Sequence, residues 1–304
     1  MSSSAQAADS VRSRSHWPAD LSLVVIALVW GATFVVVKQA LTQITTMYFL
    51  CLRFTLGSAC LALLFVPALR RAGASDLWRG LRGGGIAGLF LWTGYVLQSF
   101  GLKYTSAGNS GFLTGLYIVL VPVISAAFYS RWPQARELLG IGIATAGMIV
   151  MAVPNLDRHL RMNTGDLLTI GCAVAFACHL LVLGYFSQRE FFPGVALGQV
   201  ACTAALSGLS LLAERPHAVW NRSLVWAICV TGVLATALAL TLQSWAQQYT
   251  TATRTALILT LEPVFALVVA ALAGGERITL AAVSGGSLIL AGIVAVELKP
   301  ARGT

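Results

Sequence analysis

The sequence predicts an all-α polytopic membrane protein, with ten transmembrane helices arranged as two inverted five-helix repeats. Three observations carry that prediction. Hydrophobic residues make up 57% of the chain and charged residues only 10%, with a mean hydropathy of +0.80, whereas a soluble domain carries about a quarter charged residues. Apolar runs long enough to cross a ~30 Å hydrocarbon core as helices recur along the whole chain. Finally, Leu97-Gln98-Ser99 and Tyr104-Thr105 return as Leu242-Gln243-Ser244 and Tyr249-Thr250, a shift of 145 residues. Such long-period similarity reports on architecture.

Residues 1–20 are polar and lead into a run too long for a signal-peptide core, so they read as an uncleaved cytoplasmic tail. The first repeat occupies 21–153, with spans at 21–41, 46–67, 83–103, 106–129 and 137–153. A linker, 154–163, leads to the second repeat, 164–297, with spans at 164–187, 193–213, 223–247, 255–274 and 278–297; residues 298–304 form a second tail. Connections are short except for Ala68–Arg82 and Pro154–Asn163. With the N-terminus inside, the inner side holds 12 Lys and Arg residues and the outer side 7, with Arg53 left inside a span. That asymmetry puts both termini in the cytoplasm. Five spans is an odd number, so the second repeat must insert upside down relative to the first. The net charge of +9 is a matter of loop placement here and does not point to nucleic acid. The six cysteines lie in apolar runs without a CxxC pair, which suits packing and neither a disulfide framework nor a metal site.

Chemistry is sparse inside the spans, and Glu262 stands out. It is followed by Pro263, which has no N–H and crowds the carbonyl of Leu259, so a kink beside the carboxylate is expected. Glu262 reads either as a group binding a proton or a substrate amine, or as an acceptor for backbone donors loosened by the proline. In the first half the matching proline, Pro122, is displaced, which implies a four-residue slip of register within the fourth span and leaves Val121 opposite Glu262. His179, deep in the sixth span, reads as a charge switch or as a neutral histidine bonding a neighbouring helix. Arg53 could bind an anionic group or snorkel outward, and for Lys38, near the end of the first span, snorkelling is the better account. Trp30, Trp92, Tyr95 and Tyr117 lie well inside spans and suit either cavity lining or plain packing. Trp17, Trp78, Trp132 and Trp220 suit interface anchors. Gln98 and Gln243 fit helix-to-helix hydrogen bonds, and Gly111, Gly115, Gly140, Gly147, Gly285 and Gly292 fit close helix contact. Span depths place Glu262, His179 and Trp30 on one level of an inner cavity, with Arg53 nearer the opposite edge.

The residues Trp30-Gly31-Ala32-Thr33-Phe34 with Lys38, Arg53-Phe54, the paired YTSAG and YTTAT strings, Glu262-Pro263 and the late glycines resemble the ten-helix EamA members of the drug/metabolite transporter superfamily. The resemblance covers about residues 21–297. It implies two five-helix bundles around a central cavity and commonly implies export of small metabolites. The reading that follows is a secondary transporter, an exporter working by alternating access. It sits in the cell membrane, a bacterial inner membrane being expected. The partners expected are a small-molecule substrate and the lipid bilayer, with room for proton coupling and for a homo-oligomer. No cofactor or metal is expected, and no P-loop supports ATP-driven pumping. Two alternatives stay open: an intramembrane enzyme acting on lipid-linked substrates, although no HExxH, GxSxG or paired carboxylates appear in a span, and a non-transporting sensor or assembly subunit.

Overall fold

The computed structural model describes residues 17–105, 107–129, 134–156, 163–272 and 279–297. They form ten helical rods. These are α1 (Trp17–Ala40), α2 (Thr46–Arg71), α3 (Ala74–Tyr104), α4a (Ala107–Thr114) with α4b (Tyr117–Tyr129), and α5 (Ala135–Leu156). There follow α6 (Thr164–Ser187), α7 (Phe192–Ser210), α8 (Arg222–Ala246), α9a (Ala252–Leu259) with α9b (Glu262–Leu272), and α10 (Leu280–Glu297). Eight of the rods are long and apolar enough to cross a membrane as they stand, and α10 is apolar but shorter. The chain is an all-α polytopic membrane protein. In lipid only helices or closed barrels satisfy the backbone's hydrogen-bonding groups, and the described residues are helical almost throughout. Many large apolar side chains, such as Leu63, Leu64, Leu272 and Leu280, stay exposed on the outside of the bundle, where acyl chains would cover them. Trp17, Trp78 and Trp220 are exposed near helix ends, as interface anchors should be; Trp132 lies outside the described residues.

The long loop expected at Ala68–Arg82 is absent. Helix α2 runs to Arg71 and α3 starts at Ala74, leaving only Ala72 and Gly73 between them. Arginine is a good helix former, so the helices continue past their apolar stretches. At 31 residues α3 is about 46 Å long, well beyond the hydrocarbon core. The glycines in α3 serve packing against α7: a methyl group on Gly80 would meet the Phe191 carbonyl at 2.8 Å, and one on Gly88 the Gln199 carbonyl at 2.6 Å. Within a membrane, helix association rests on such close van der Waals contact.

Contacts between the halves come in exchanged pairs. Helix α1 packs on α9b and α9a, as α6 packs on α4b and α4a; α5 packs on α10, and α2 on α7. The α5–α10 seam is made by small residues, with Gly147 backbone against Gly285 and Gly140 against Gly292. A methyl group at Gly147 would sit 2.5 Å from the Gly285 carbonyl. Gly115 packs on Met148, whereas among the described residues nothing lies within 4 Å of a methyl built on Gly111.

The register of the two halves is cleaner than the prolines suggest. A shift of 145 carries α4a onto α9a end for end, and the first residue of α4b, Tyr117, onto the first residue of α9b, Glu262. There is no four-residue slip. The break in each rod keeps its place, at Gly115-Leu116 and Thr260-Leu261, and only the proline has moved. Tyr117, and not Val121, is therefore the counterpart of Glu262.

Candidate functional site

The two breaks face one cavity between the halves. Its wall is drawn from stripes at helical spacing: Trp30, Thr33, Phe34 and Val37 of α1, Leu91, Tyr95, Gln98 and Leu102 of α3, and Phe176, His179 and Leu180 of α6. Arg53 of α2, Gln243 of α8, and Thr114, Tyr117, Leu259 and Glu262 from the edges of the breaks complete it. The 145-residue shift pairs Phe34 with His179, Gln98 with Gln243, Thr114 with Leu259 and Tyr117 with Glu262, so the lining is symmetric in position and asymmetric in chemistry.

Glu262 opens α9b. Ahead of it the chain tightens into successive three-residue turns, Thr260 N–H to the Leu257 carbonyl (3.2 Å) and Leu261 N–H to Ile258 (3.1 Å). Pro263, which cannot donate, takes the second position of the new half-helix, a place where a missing N–H costs nothing. The carboxylate thus stands at the positive end of a helix dipole. Among the described residues no side chain bonds or pairs with it. Gly31 of α1 lets the backbones touch here, since a methyl would lie 2.5 Å from the Glu262 carbonyl. Pro122 lies inside α4b, beyond the break rather than at it.

His179 is buried, and its hydrogen bonds fix its tautomer. The Ser244 hydroxyl donates its one proton to the Leu240 carbonyl (2.7 Å), so it must accept from the Gln199 amide nitrogen (2.8 Å). The Gln199 carbonyl oxygen then faces His179 Nε2 at 2.9 Å and can only accept. Nε2 therefore carries the proton, and Nδ1 keeps a lone pair.

Arg53 is 3% exposed. Its Nε–H donates to Thr236 Oγ1 (2.8 Å), and Nη2 donates to Tyr95 Oη (3.2 Å) and the Ala235 carbonyl (3.4 Å). Both acceptors on α8 lie in a π-helical turn, Val233–Leu238, whose wider winding leaves the Ala235 carbonyl open to side chains. The Trp30 indole N–H donates to that same oxygen (2.9 Å). Arg53 and Trp30 accordingly share a level, and the separation in depth expected from span lengths does not hold. The arginine stem carries its head along the helix to meet the π turn.

Of the residues singled out in the sequence, Glu262, His179, Arg53, Trp30, Tyr95 and Tyr117 come together in the cavity. Trp92 does not. It sits one residue off the Leu91–Tyr95–Gln98–Leu102 stripe, and its indole N–H has no partner among the described residues. Gln98 and Gln243 do line the cavity; Gln98 donates to Thr114 (3.3 Å), while Gln243 Oε1 is buried without a partner among the described residues. Lys38 donates to the Thr105 carbonyl at the C-terminal end of α3 (3.1 Å). The sequence marks Ser244 only as part of the repeat and carries no signal for Gln199 or the π turn. Only the stripe periodicity on α1, α3 and α6 was there to be counted.

A sequence model of the EamA-like transporter family matches residues 17–153 and again 163–298. The chain belongs to the EamA-like transporter family. Within the family's wider superfamily, that of drug and metabolite transporters, its relatives carry names in keeping. An uncharacterized transporter of Archaeoglobus fulgidus is 32% identical, over 92% of this chain and 86% of the relative. YoaV of Bacillus subtilis, another uncharacterized transporter, is 23% identical over 90% of this chain and 94% of its own. A protein of Streptantibioticus cattleyicolor named a probable terminal-alkyne amino-acid exporter is 24% identical over 91% and 93%. One crystal structure, 22% identical, superposes with a TM-score of 0.77, covering 95% of this EamA-like chain and 100% of the other; it shares the fold.

Proposed function

We propose that this membrane transporter is a secondary exporter of small organic metabolites, working by alternating access around the central cavity. The observation that carries the reading is the cavity itself. It lies where both broken rods, α4 and α9, present the start of a half-helix, and it holds a carboxylate with no partner among the described residues. Discontinuous helices pointing their termini at a site between repeats are how many secondary transporters bind cargo. Glu262 takes up a proton or a cationic group of the substrate, and His179 offers Nδ1 as a second acceptor. The inverted repeat supplies the mechanism: two similar bundles exchange conformations and expose the cavity to each side in turn. Export is the direction named for the Streptantibioticus cattleyicolor relative.

The test has two parts. Metabolite profiling of medium and cytoplasm, with the protein overexpressed or deleted, identifies cargo that accumulates outside. Purified protein in liposomes then measures flux of that cargo against pH. Glu262→Gln is expected to lower flux and to flatten its pH dependence. A variant that transports at the wild-type rate with the wild-type pH profile would mean that Glu262 is structural. Product formation without flux would point to an enzyme instead.

A further inference from the structure

The guanidinium of Arg53 is permanently cationic, almost wholly buried, and has no carboxylate partner among the described residues. A buried charge is ordinarily paired, because leaving water is costly. Here neutral oxygens hold it. Nε and Nη2 are committed to Thr236, Ala235 and Tyr95, while Nη1 donates to no described residue. The Tyr95 ring lies under the guanidinium, 4.6 Å from centroid to Cζ, which fixes the plane of the fork. Because the Tyr95 hydroxyl accepts from Nη2, its own proton remains to be donated. The wall that Arg53 and Tyr95 contribute to the cavity thus offers donors only. Glu262 lines the same cavity and offers an acceptor.

We propose that Arg53 and Tyr95 form a subsite for the carboxylate, or an equally small oxyanion, of the transported molecule, and that the π turn of α8 positions it. This rests on the transporter reading and deepens it by naming the substrate class. The incoming anion supplies the missing counter-charge: Nη1 and the Tyr95 hydroxyl both donate to it, in charge-assisted hydrogen bonds stronger than neutral ones. Thr236 and the Ala235 carbonyl never touch the anion. They hold the fork so that Nη1 stays uncommitted. At and beside the π turn α2 and α8 lie in close contact, at Gly57 against Thr236 and Gly232 against the Arg53 carbonyl, so the subsite is tied to the seat of both helices.

The experiment uses acetate, 3-phenylpropionate and L-phenylalanine, each beside its amide, in which the carboxylate is replaced by a neutral group of similar shape. Dissociation constants come from ligand-dependent melting of the purified full-length protein. At least one acid is expected to bind about tenfold or more tightly than its amide, the scale set by a hydrogen bond to a charged group. Arg53→Gln should abolish that preference. Thr236→Val should weaken acid binding and leave amide binding alone, and Thr236→Ser should restore it. Equal behaviour of acids and amides in the wild type, including no response to either, overturns the proposal. So does a preference that survives Arg53→Gln, or, where that variant does not fold, one that Thr236→Val leaves unchanged. Liposome flux of phenylalanine and phenylalaninamide separates the two readings. Acid preference without flux keeps the subsite and removes transport, whereas equal flux of both keeps the transporter and removes the subsite.

Discussion

At the scale of single residues, the cavity is ordered by polar groups that leave each other few choices. Ser244 spends its proton on its own helix, so Gln199 must donate to it, and His179 must then donate to Gln199. The chain ties α6, α7 and α8 together. Gln199→Leu would remove the acceptor for a buried N–H, which costs about 1–3 kcal/mol. It is therefore expected to lower the melting temperature and to release the tautomer. Solid-state NMR of 15N-histidine protein should show a neutral His179 protonated at Nε2 in the wild type and a mixture or a switch in Gln199→Leu. A wild-type Nε2 found without its proton would break the hydrogen-bond assignment.

At the scale of elements, glycine decides how near the helices come to the site. Gly31 brings α1 against the start of α9b, where a methyl would meet two backbone atoms, the Glu262 carbonyl at 2.5 Å and the Ala266 nitrogen at 2.8 Å. Backbone cannot swing aside as a side chain can. Gly31→Ala should therefore destabilise by about 1–3 kcal/mol, as overpacking does, and impair flux by displacing Glu262. Gly85→Ala, with nothing within 4 Å, is the matched control and should be neutral or slightly stabilising in thermal unfolding. Elements were legible in the sequence wherever apolar runs and the repeat marked them: nearly every span, the break ahead of Pro263, and the α5–α10 glycines. Less legible was anything set by a partner helix. The arginine-rich stretch around Arg70 to Arg82 looked like a loop because polarity marks the edge of the bilayer, not the end of a helix. Trp92 looked like cavity lining because aromatic character gives no direction, while the stripe beside it did. The π turn lies where α8 meets Arg53 and Gly57, and no local pattern in the sequence records it.

At the scale of the whole molecule, the two faces of the bundle are held by different means. Two ion pairs define one face. Arg254 grips Asp20 through two bonds (2.7 and 3.1 Å), joining the starts of α1 and α9a, and Arg79 reaches Glu190 (3.3 Å), joining the start of α3 to the α6–α7 turn. The opposite face is closed by backbone pairing of Thr45 with His217 and Gln43 with Val219, and by Glu214 accepting from Met47 N–H (2.7 Å). Arg70, Arg71, Arg79, Arg82, Arg189 and Arg254 belong to the first face, and Lys38, Lys103, Arg215 and Arg222 to the second. Cytoplasmic loops carry the excess of Lys and Arg, so the first face is expected inside. Five crossings in each half would then set the two halves in opposite senses. Reporter fusions at Val153 and Thr304 are expected to read outside and inside, respectively. An outside signal at Thr304 would mean that the two halves do not return the chain to its starting side, and alternating access by exchange of inverted halves would fall with it.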